Sequence, residues 1–255
     1  MKKGIDISRW QGANFDIAGT GAEFVIIKAG GSDDGLYIDS QFLNNYITAK
    51  NLGLPVGIYW YTKAYSILML RNEIEYLYDK IKGLQFELPI YLDLEEDVIK
   101  SLAAGYANEW LNAWPTKGYY PGIYTSLSWW KDSLYNVSMD PIQKWLALWI
   151  TDSTPGYECG IWQNGHIKYN GEDLDSDIMF ADFSFIKKNG LNGFKKEKTF
   201  SDVPSTRSDY RAIMWAASEG YIVGYKDGTF RPDNPLTRGQ LCTILWRMAG
   251  KPNAK

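Results

Sequence analysis

Pro89-Ile90-Tyr91-Leu92-Asp93-Leu94-Glu95-Glu96 starts at a proline, alternates in polarity and ends in acid. Successive side chains of a strand point to opposite faces. Ile90, Leu92 and Leu94 therefore share one face, and Tyr91, Asp93 and Glu95 the other. The aliphatic face calls for a covering layer of helices. The opposite face carries carboxylates where a sheet ordinarily buries apolar groups, and a buried charge is costly unless it is paired or used. This strand end is the expected working centre.

Strands and helices alternate around it. Residues 4–8, 24–29, 56–61 and 122–125 read as further strands, the second a continuous apolar run of the kind buried on both faces of a parallel sheet. Helices are expected over 41–51, 67–82, 101–113 and 127–135, with Gly53, Pro55 and Gly83 as stop signals. Such alternation implies βαβ units and a mainly parallel sheet.

Past residue 144 the rhythm changes. Residues 144–150, 160–163 and 174–179 are strand-like but lie only about ten residues apart, with the hairpin-prone Asn170-Gly171 before the last. A parallel crossover needs roughly a dozen residues or more, so at least one of these strands must run antiparallel. The expected fold class is α/β. It is a modified β/α barrel of about five β/α units plus three further strands, followed by a small helical C-terminal domain. At about 190 residues the barrel is shorter than the usual length of about 250.

The second domain follows a basic, glycine-containing stretch, Lys187-Lys188-Asn189-Gly190 to Lys195-Lys196-Glu197-Lys198. The expected division is a barrel over residues 1–189, a linker over 190–199 and a tail over 200–255. Within the tail, residues 209–219 form an amphipathic helix stopped by Gly220, and 225–232 a turn-rich loop. Thr237-Arg238-Gly239-Gln240 is a capping box. It opens a helix with Leu241, Ile244, Leu245 and Met248 on one side.

Composition narrows the function classes. The net charge of −3 shows no basic stripe, so nucleic acid is not an expected partner. The single histidine, His166, sits in a turn-like run and excludes a His-based metal cluster; no metal or other cofactor is expected. Cys159 and Cys242 fit neither a zinc nor a disulfide pattern. The 11 Trp and 18 Tyr suit sugar stacking, although an aromatic-rich core accounts for many of them. Met1-Lys2-Lys3 passes straight into Gly4-Ile5-Asp6-Ile7 without a signal-peptide run, and no stretch qualifies as a membrane span. The expectation is synthesis in the cytoplasm, no membrane insertion, and action outside only after release by another agent.

In a β/α barrel the reactive groups sit at the C-terminal strand ends. Those ends supply Asp6, Asp93 with Glu95, Trp149, Gln163, and Asp175 with Asp177. Converging acids suit glycoside hydrolysis, in which one carboxyl protonates the leaving oxygen and another stabilises the oxocarbenium-like centre. Two positions apart on a strand, Asp93 and Glu95 have Cα atoms roughly 6.5–7 Å apart, and crowded acids raise the pKa of at least one. The competing reading of the same acids is a magnesium or calcium site. Trp10, Tyr59, Tyr61, Tyr91, Tyr124, Trp149 and Trp162 are rim candidates for stacking on sugars. Glu96, on the opposite face of the pleat, is expected to be a bystander.

Seven segments then agree in order: Gly4-Ile5-Asp6-Ile7-Ser8-Arg9-Trp10-Gln11-Gly12, Phe24-Val25-Ile26-Ile27-Lys28-Ala29, Gly57-Ile58-Tyr59-Trp60-Tyr61, Leu92-Asp93-Leu94-Glu95, Gly122-Ile123-Tyr124-Thr125, Leu148-Trp149-Ile150 and Ile161-Trp162-Gln163. Over residues 1 to about 186 the chain resembles glycoside hydrolase family 25, the lysozyme family of many phage endolysins and bacterial autolysins. The resemblance implies a β/α barrel and an N-acetylmuramidase acting on bacterial peptidoglycan at the β-1,4 bond between N-acetylmuramic acid and N-acetylglucosamine. It implies Glu95 as general acid and Asp93 as the partner of the substrate's attacking acetamido group. Asp6 and an acid of the closing strand line the site; the latter is matched to Asp175, with Asp177 the alternative. Ala29-Gly30-Gly31 replaces a Thr-Glu-Gly-like continuation, and Tyr59-Trp60-Tyr61 replaces a His-Phe pair. Both departures bear on substrate preference.

Phe200-Ser201-Asp202-Val203-Pro204, Gly224 to Pro232, and Pro235-Leu236-Thr237-Arg238-Gly239-Gln240 resemble an S-layer homology repeat. That resemblance implies anchoring to a secondary cell-wall polymer, with Arg238 the candidate for its anionic groups. A lone repeat has little core of its own, so a homo-oligomer through the tail is expected. The alternatives to a phage-type lytic muramidase are a non-catalytic cell-wall glycan-binding protein and an enzyme acting on another N-acetylated glycan such as chitin.

Overall fold

β1 (Lys2–Ile7) pairs in parallel with β2 (Phe24–Gly31) on one side and antiparallel with β9 (Glu172–Met179) on the other. That double pairing closes a ring. The chain contributes the rest as β4 (Val56–Tyr61), β5 (Ile90–Asp93), β6 (Pro121–Ser126), β7 (Lys144–Ala147) and β8 (Ile161–Tyr169). Around the ring the order is β1-β9-β8-β7-β6-β5-β4-β2, and β3 (Tyr37–Ile38) pairs outside it on the end of β2. The computed structural model describes residues 1–150, 152–196 and 198–253. They fall into two units, Met1–Phe194 and Lys195–Lys255.

The expected alternation organises the barrel wall. Ile90, Leu92 and Leu94 join the layer between barrel and helices, whereas Tyr91 joins the interior cluster with Phe24, Ile26, Trp145, Ile161 and Met179. The helical layer follows from 3.6-residue spacing. α1 (Phe42–Asn51) buries Phe42 and Ala49; α2 (Ile67–Ile81) buries Leu70, Ile74, Leu77 and Ile81. α3 (Ala103–Thr116) buries Tyr106, Trp110 and Trp114, and the Trp110 indole donates to the Ile90 carbonyl across 3.1 Å. Each such large side chain contributes roughly 1.5–3 kcal/mol on burial. α4 (Leu127–Asp132) and α5 (Ser184–Asn189) are shorter.

Several expectations shift. β5 stops at Asp93 rather than Glu95, and only the Leu94 N–H bond to the Tyr124 carbonyl prolongs its pairing. β7 is parallel to both β6 and β8, and the described residues between β7 and β8 form no helix. The antiparallel strand is β9. Its hairpin with β8 is longer than expected, so His166 lies on a strand rather than in a loop, and Asn170, at φ 51, and Gly171, at φ 88, make the turn. β3 was not anticipated. It is admitted by Gly30, where a Cβ would stand 2.1 Å from the Tyr37 carbonyl oxygen and 2.8 Å from the Trp60 ring. The Gly30-Gly31 departure is thus the seat of an added strand.

In the second unit, α6 (Tyr210–Ser218) and α7 (Arg238–Met248) flank a loop pinned by Asp202, whose carboxylate accepts from the backbone of Phe230 and Arg231 at 2.8 and 2.7 Å. The capping box forms as expected: Thr237 accepts from the Gln240 N–H at 3.2 Å, and Gln240 from the Thr237 N–H at 2.8 Å. The core is small, built on Val203, Ile213, Ala217 and Ile222. α7 buries nothing fully; Leu241, Leu245, Trp246 and Met248 are all about half exposed. Glu197 of the expected linker, and Ala254 and Lys255 of the tail, lie outside the described residues.

Candidate active site

The inward-pointing positions at the C-terminal ends of the parallel strands bring the acids together. Register alone aligns them: Tyr61 lies beside Asp93, Asp93 beside Tyr124, and Gln163 beside Asp177. β9 is antiparallel, so its N-terminal end lies towards the rim; Asp175 sits nearer the mouth, across from His166, and Asp177 deeper.

Asp6 and Asp177 are both buried. The Gln163 amide donates to Asp6 Oδ2 at 3.0 Å, and the Trp145 indole donates to Asp177 Oδ1 at 2.7 Å. The two carboxyls lie close enough for each to influence the other's titration. Burial, then the neighbouring Asp175 charge, pushes Asp6 up to about 7, against the opposing hydrogen bond from Gln163 and the proximity of the Asp177 carboxyl. Burial and the Asp6 charge hold Asp177 well above the carboxylate range. Gln163 Oε1 in turn accepts from the Tyr124 hydroxyl at 2.9 Å and the Trp149 indole at 3.3 Å. One amide therefore ties the acid pair to two rim aromatics.

Asp93 is buried as well, and its Oδ1, like Oδ2 of Asp177, has no hydrogen-bond partner among the described residues. Burial and the Glu95 charge raise its pKa well above the usual value, against the attraction of Lys28. Buried polar groups are as a rule satisfied, and an exception calls for a functional reason. Glu95 stands beyond the last ladder pair, within reach of solvent. Its pKa is raised too, by desolvation at the crowded mouth and by the Glu96 carboxylate, again opposed by Lys28. Burial also raises Asp175.

Glu96 is no bystander. It accepts from the Tyr61 hydroxyl and pairs with Lys63 at 3.3 Å, and these contacts hold its carboxyl below the usual value. Lys28 is the second residue missed: its ammonium lies 4.6 Å from the Tyr61 ring and 5.8 Å from the Tyr59 ring. A lysine sharing the inward parity of Phe24 and Ile26 was a readable signal. Trp145 is the third.

Tyr59 and Tyr124 frame the floor, packing on Trp145 with ring centroids 5.9 and 4.4 Å apart. Trp10, 75 % exposed, and Trp149, 56 % exposed, stand at the rim. Tyr91 corrects the expectation: it is fully buried below the acids, packed 5.2 Å from Trp145 over Gly122, and is a core residue rather than a rim one. Trp162 is likewise buried. Arg238 belongs to the second unit, exposed at the first position of α7. Among the described residues no group of three or more His, Cys, Asp or Glu is arranged to hold a metal ion, and no helix is long and apolar enough to cross a membrane.

The family model for glycosyl hydrolases family 25 matches residues 5–170, and that for the S-layer homology domain matches residues 199–242. β9 lies beyond the first match. The autolytic lysozyme of Clostridium acetobutylicum is 33% identical over 200 residues, covering 75% of this chain and 52% of its own length. The chain thus spans about half the length of that curated relative. Among solved structures, a muramidase from Trichobolus zukalii is 26% identical with a TM-score of 0.58, covering 76% of this chain and 99% of its own. A family GH25 lysozyme from Aspergillus fumigatus is 25% identical with a TM-score of 0.57, covering 71% and 94%.

Proposed function

The chain belongs to glycosyl hydrolases family 25, and on that premise we propose that it is a peptidoglycan hydrolase, an N-acetylmuramidase cutting the β-1,4 bond between N-acetylmuramic acid and N-acetylglucosamine. The observation that carries the reading is Asp93: a buried carboxyl with an unmet oxygen, two residues from an accessible Glu95 whose pKa its surroundings raise.

Glu95 gives its proton to the glycosidic oxygen as the bond breaks. Asp93 receives the N–H of the 2-acetamido group and orients its carbonyl oxygen for attack on the anomeric carbon. That substrate-assisted route needs no protein nucleophile, and water then opens the cyclic intermediate. Asp6, Asp177 and Asp175 line the site, and the ionised members of that cluster favour the developing positive charge. Trp10 and Trp149 offer ring faces to the sugars, while Tyr59, Tyr61 and Tyr124 shape the floor. Incubating purified peptidoglycan with the chain tests this. Fragments ending in reducing N-acetylmuramic acid are expected, and they should be absent with Glu95→Gln. No release by the intact chain would sink the reading.

We further propose a division into a catalytic barrel over 1–189, a linker over 190–199 and a wall-binding tail over 200–255. The S-layer homology match supports a secondary wall polymer as the tail's ligand, with Arg238 for its anionic groups. The half-exposed apolar residues of α7 support self-association through the tail. A monomeric mass by light scattering, with the tail still folded, would exclude that association.

A further inference from the structure

A cleft of about 750 Å³ opens at the rim beside the acids and shares Tyr124, Gln163 and Trp149 with them. This volume lies within the range of about 300–1,000 Å³ typical of ligand sites. The far wall comes from the end of β6 and the length of α4 and is chemically unlike the acid cluster. Ser126 and Ser128 put two hydroxyls 2.9 Å apart, and Lys131 and Asp132 follow as adjacent opposite charges. Neither charge has an ion partner among the described residues. Leu127 and Leu148 supply aliphatic surface.

A glycan strand presents hydroxyls, amides and apolar ring faces, and has no use for a fixed cation beside a fixed anion. The lactyl ether of N-acetylmuramic acid carries a short peptide with carboxylates, a free amine and small aliphatic side chains. Those groups complement this wall one for one. The placement agrees as well. Tyr124 is the register neighbour of Asp93, and Ser126 follows two residues further along β6, roughly 7 Å outward by strand rise. A branch leaving the sugar held at Asp93 meets the cleft within one or two residues of its own length.

We propose that this cleft holds the peptide arm of the substrate, so that the chain reads the muramyl branch as well as the glycan backbone. The proposal rests on the muramidase reading given above. It makes Lys131 and Asp132 determinants of specificity: the ammonium faces a peptide carboxylate and the carboxylate faces the free amine, each a charge-assisted contact.

The test is a binding measurement on the full chain carrying Glu95→Gln. Isothermal titration compares a soluble peptidoglycan oligosaccharide bearing its peptides with the same oligosaccharide stripped of them by an amidase. About tenfold tighter binding of the peptide-bearing probe is expected, the size of one or two charged contacts. Adding Lys131→Ala and Asp132→Ala should bring the affinity ratio close to one, and a ratio is insensitive to a small loss of folded protein. Equal affinity for both probes, or a preference that survives the double substitution, overturns the peptide-arm assignment alone. Binding of neither probe overturns it together with the muramidase reading, and lack of fragment release from whole peptidoglycan identifies that case.

Discussion

Gln163 Nε2 stands 3.0 Å from Asp6 Oδ2 and donates to it past the intervening β9, from the eighth strand to the first. The bond favours the ionised form of an acid that burial pushes the other way. Gln163→Ala should therefore raise the Asp6 pKa further above about 7, by about one unit for the loss of a charge-assisted donor. Carboxyl carbon-13 titration by NMR reads this directly; an unmoved or lowered value contradicts it.

Glu95→Gln should reduce turnover of peptidoglycan about 10²–10⁴-fold, the usual contribution of a positioned proton donor. Affinity for the glycan should change little. Fragment release and a binding isotherm, measured on one preparation, check the two halves together.

The pH profile depends on Glu96. Glu95 acts in its protonated form, so kcat falls as pH rises through its folded pKa, which desolvation and the Glu96 carboxylate raise. Glu96→Gln removes one raising influence. The alkaline limb should move to lower pH. A limb that stays put, or moves upward, would show that Glu95 does not govern it.

Asp93→Asn should stabilise the barrel while abolishing activity. The folded pKa of Asp93 lies well above its unfolded value of about 3.9, so the folded state binds the extra proton and stability falls as pH rises through that window. An asparagine carries no such penalty. The gain in Tm should be small at pH 4 and grow towards pH 8, as calorimetry would record.

In the tail, Thr237→Ala removes the side-chain acceptor of the α7 capping box and should cost about 1 kcal/mol. With so small a core beneath it, the unit should unfold measurably earlier in urea, followed through the fluorescence of Trp215 and Trp246.

Alternation along residues 89–96 carried the reading of the fold, because a one-residue register slip would have moved every acid to the helical side. Asp6, Asp93, Glu95, Gln163 and the two β9 acids were readable as inward positions near strand ends. Depth was not readable. Tyr91 and Asp93 share a parity, yet one strand step separates a core ring from a site carboxyl. Glu96 was misjudged because β5 ends at Asp93, and beyond a strand's last pair the pleat no longer dictates direction. β3 escaped notice because two residues have no periodicity; only the missing Cβ atoms of Gly30 and Gly31 marked the space it fills.

The antiparallel β9 couples assembly to chemistry. It is the last strand to leave the ribosome, and it is also the one that pairs with β1, made some 170 residues earlier. Until it arrives the ring has two open edges, and Asp6 has no carboxyl opposite it. The Asp6–Asp177 pair and the sealed wall therefore come into being in one event. A barrel that lacks β9 is therefore missing its closing wall and its Asp175 and Asp177 carboxyls together.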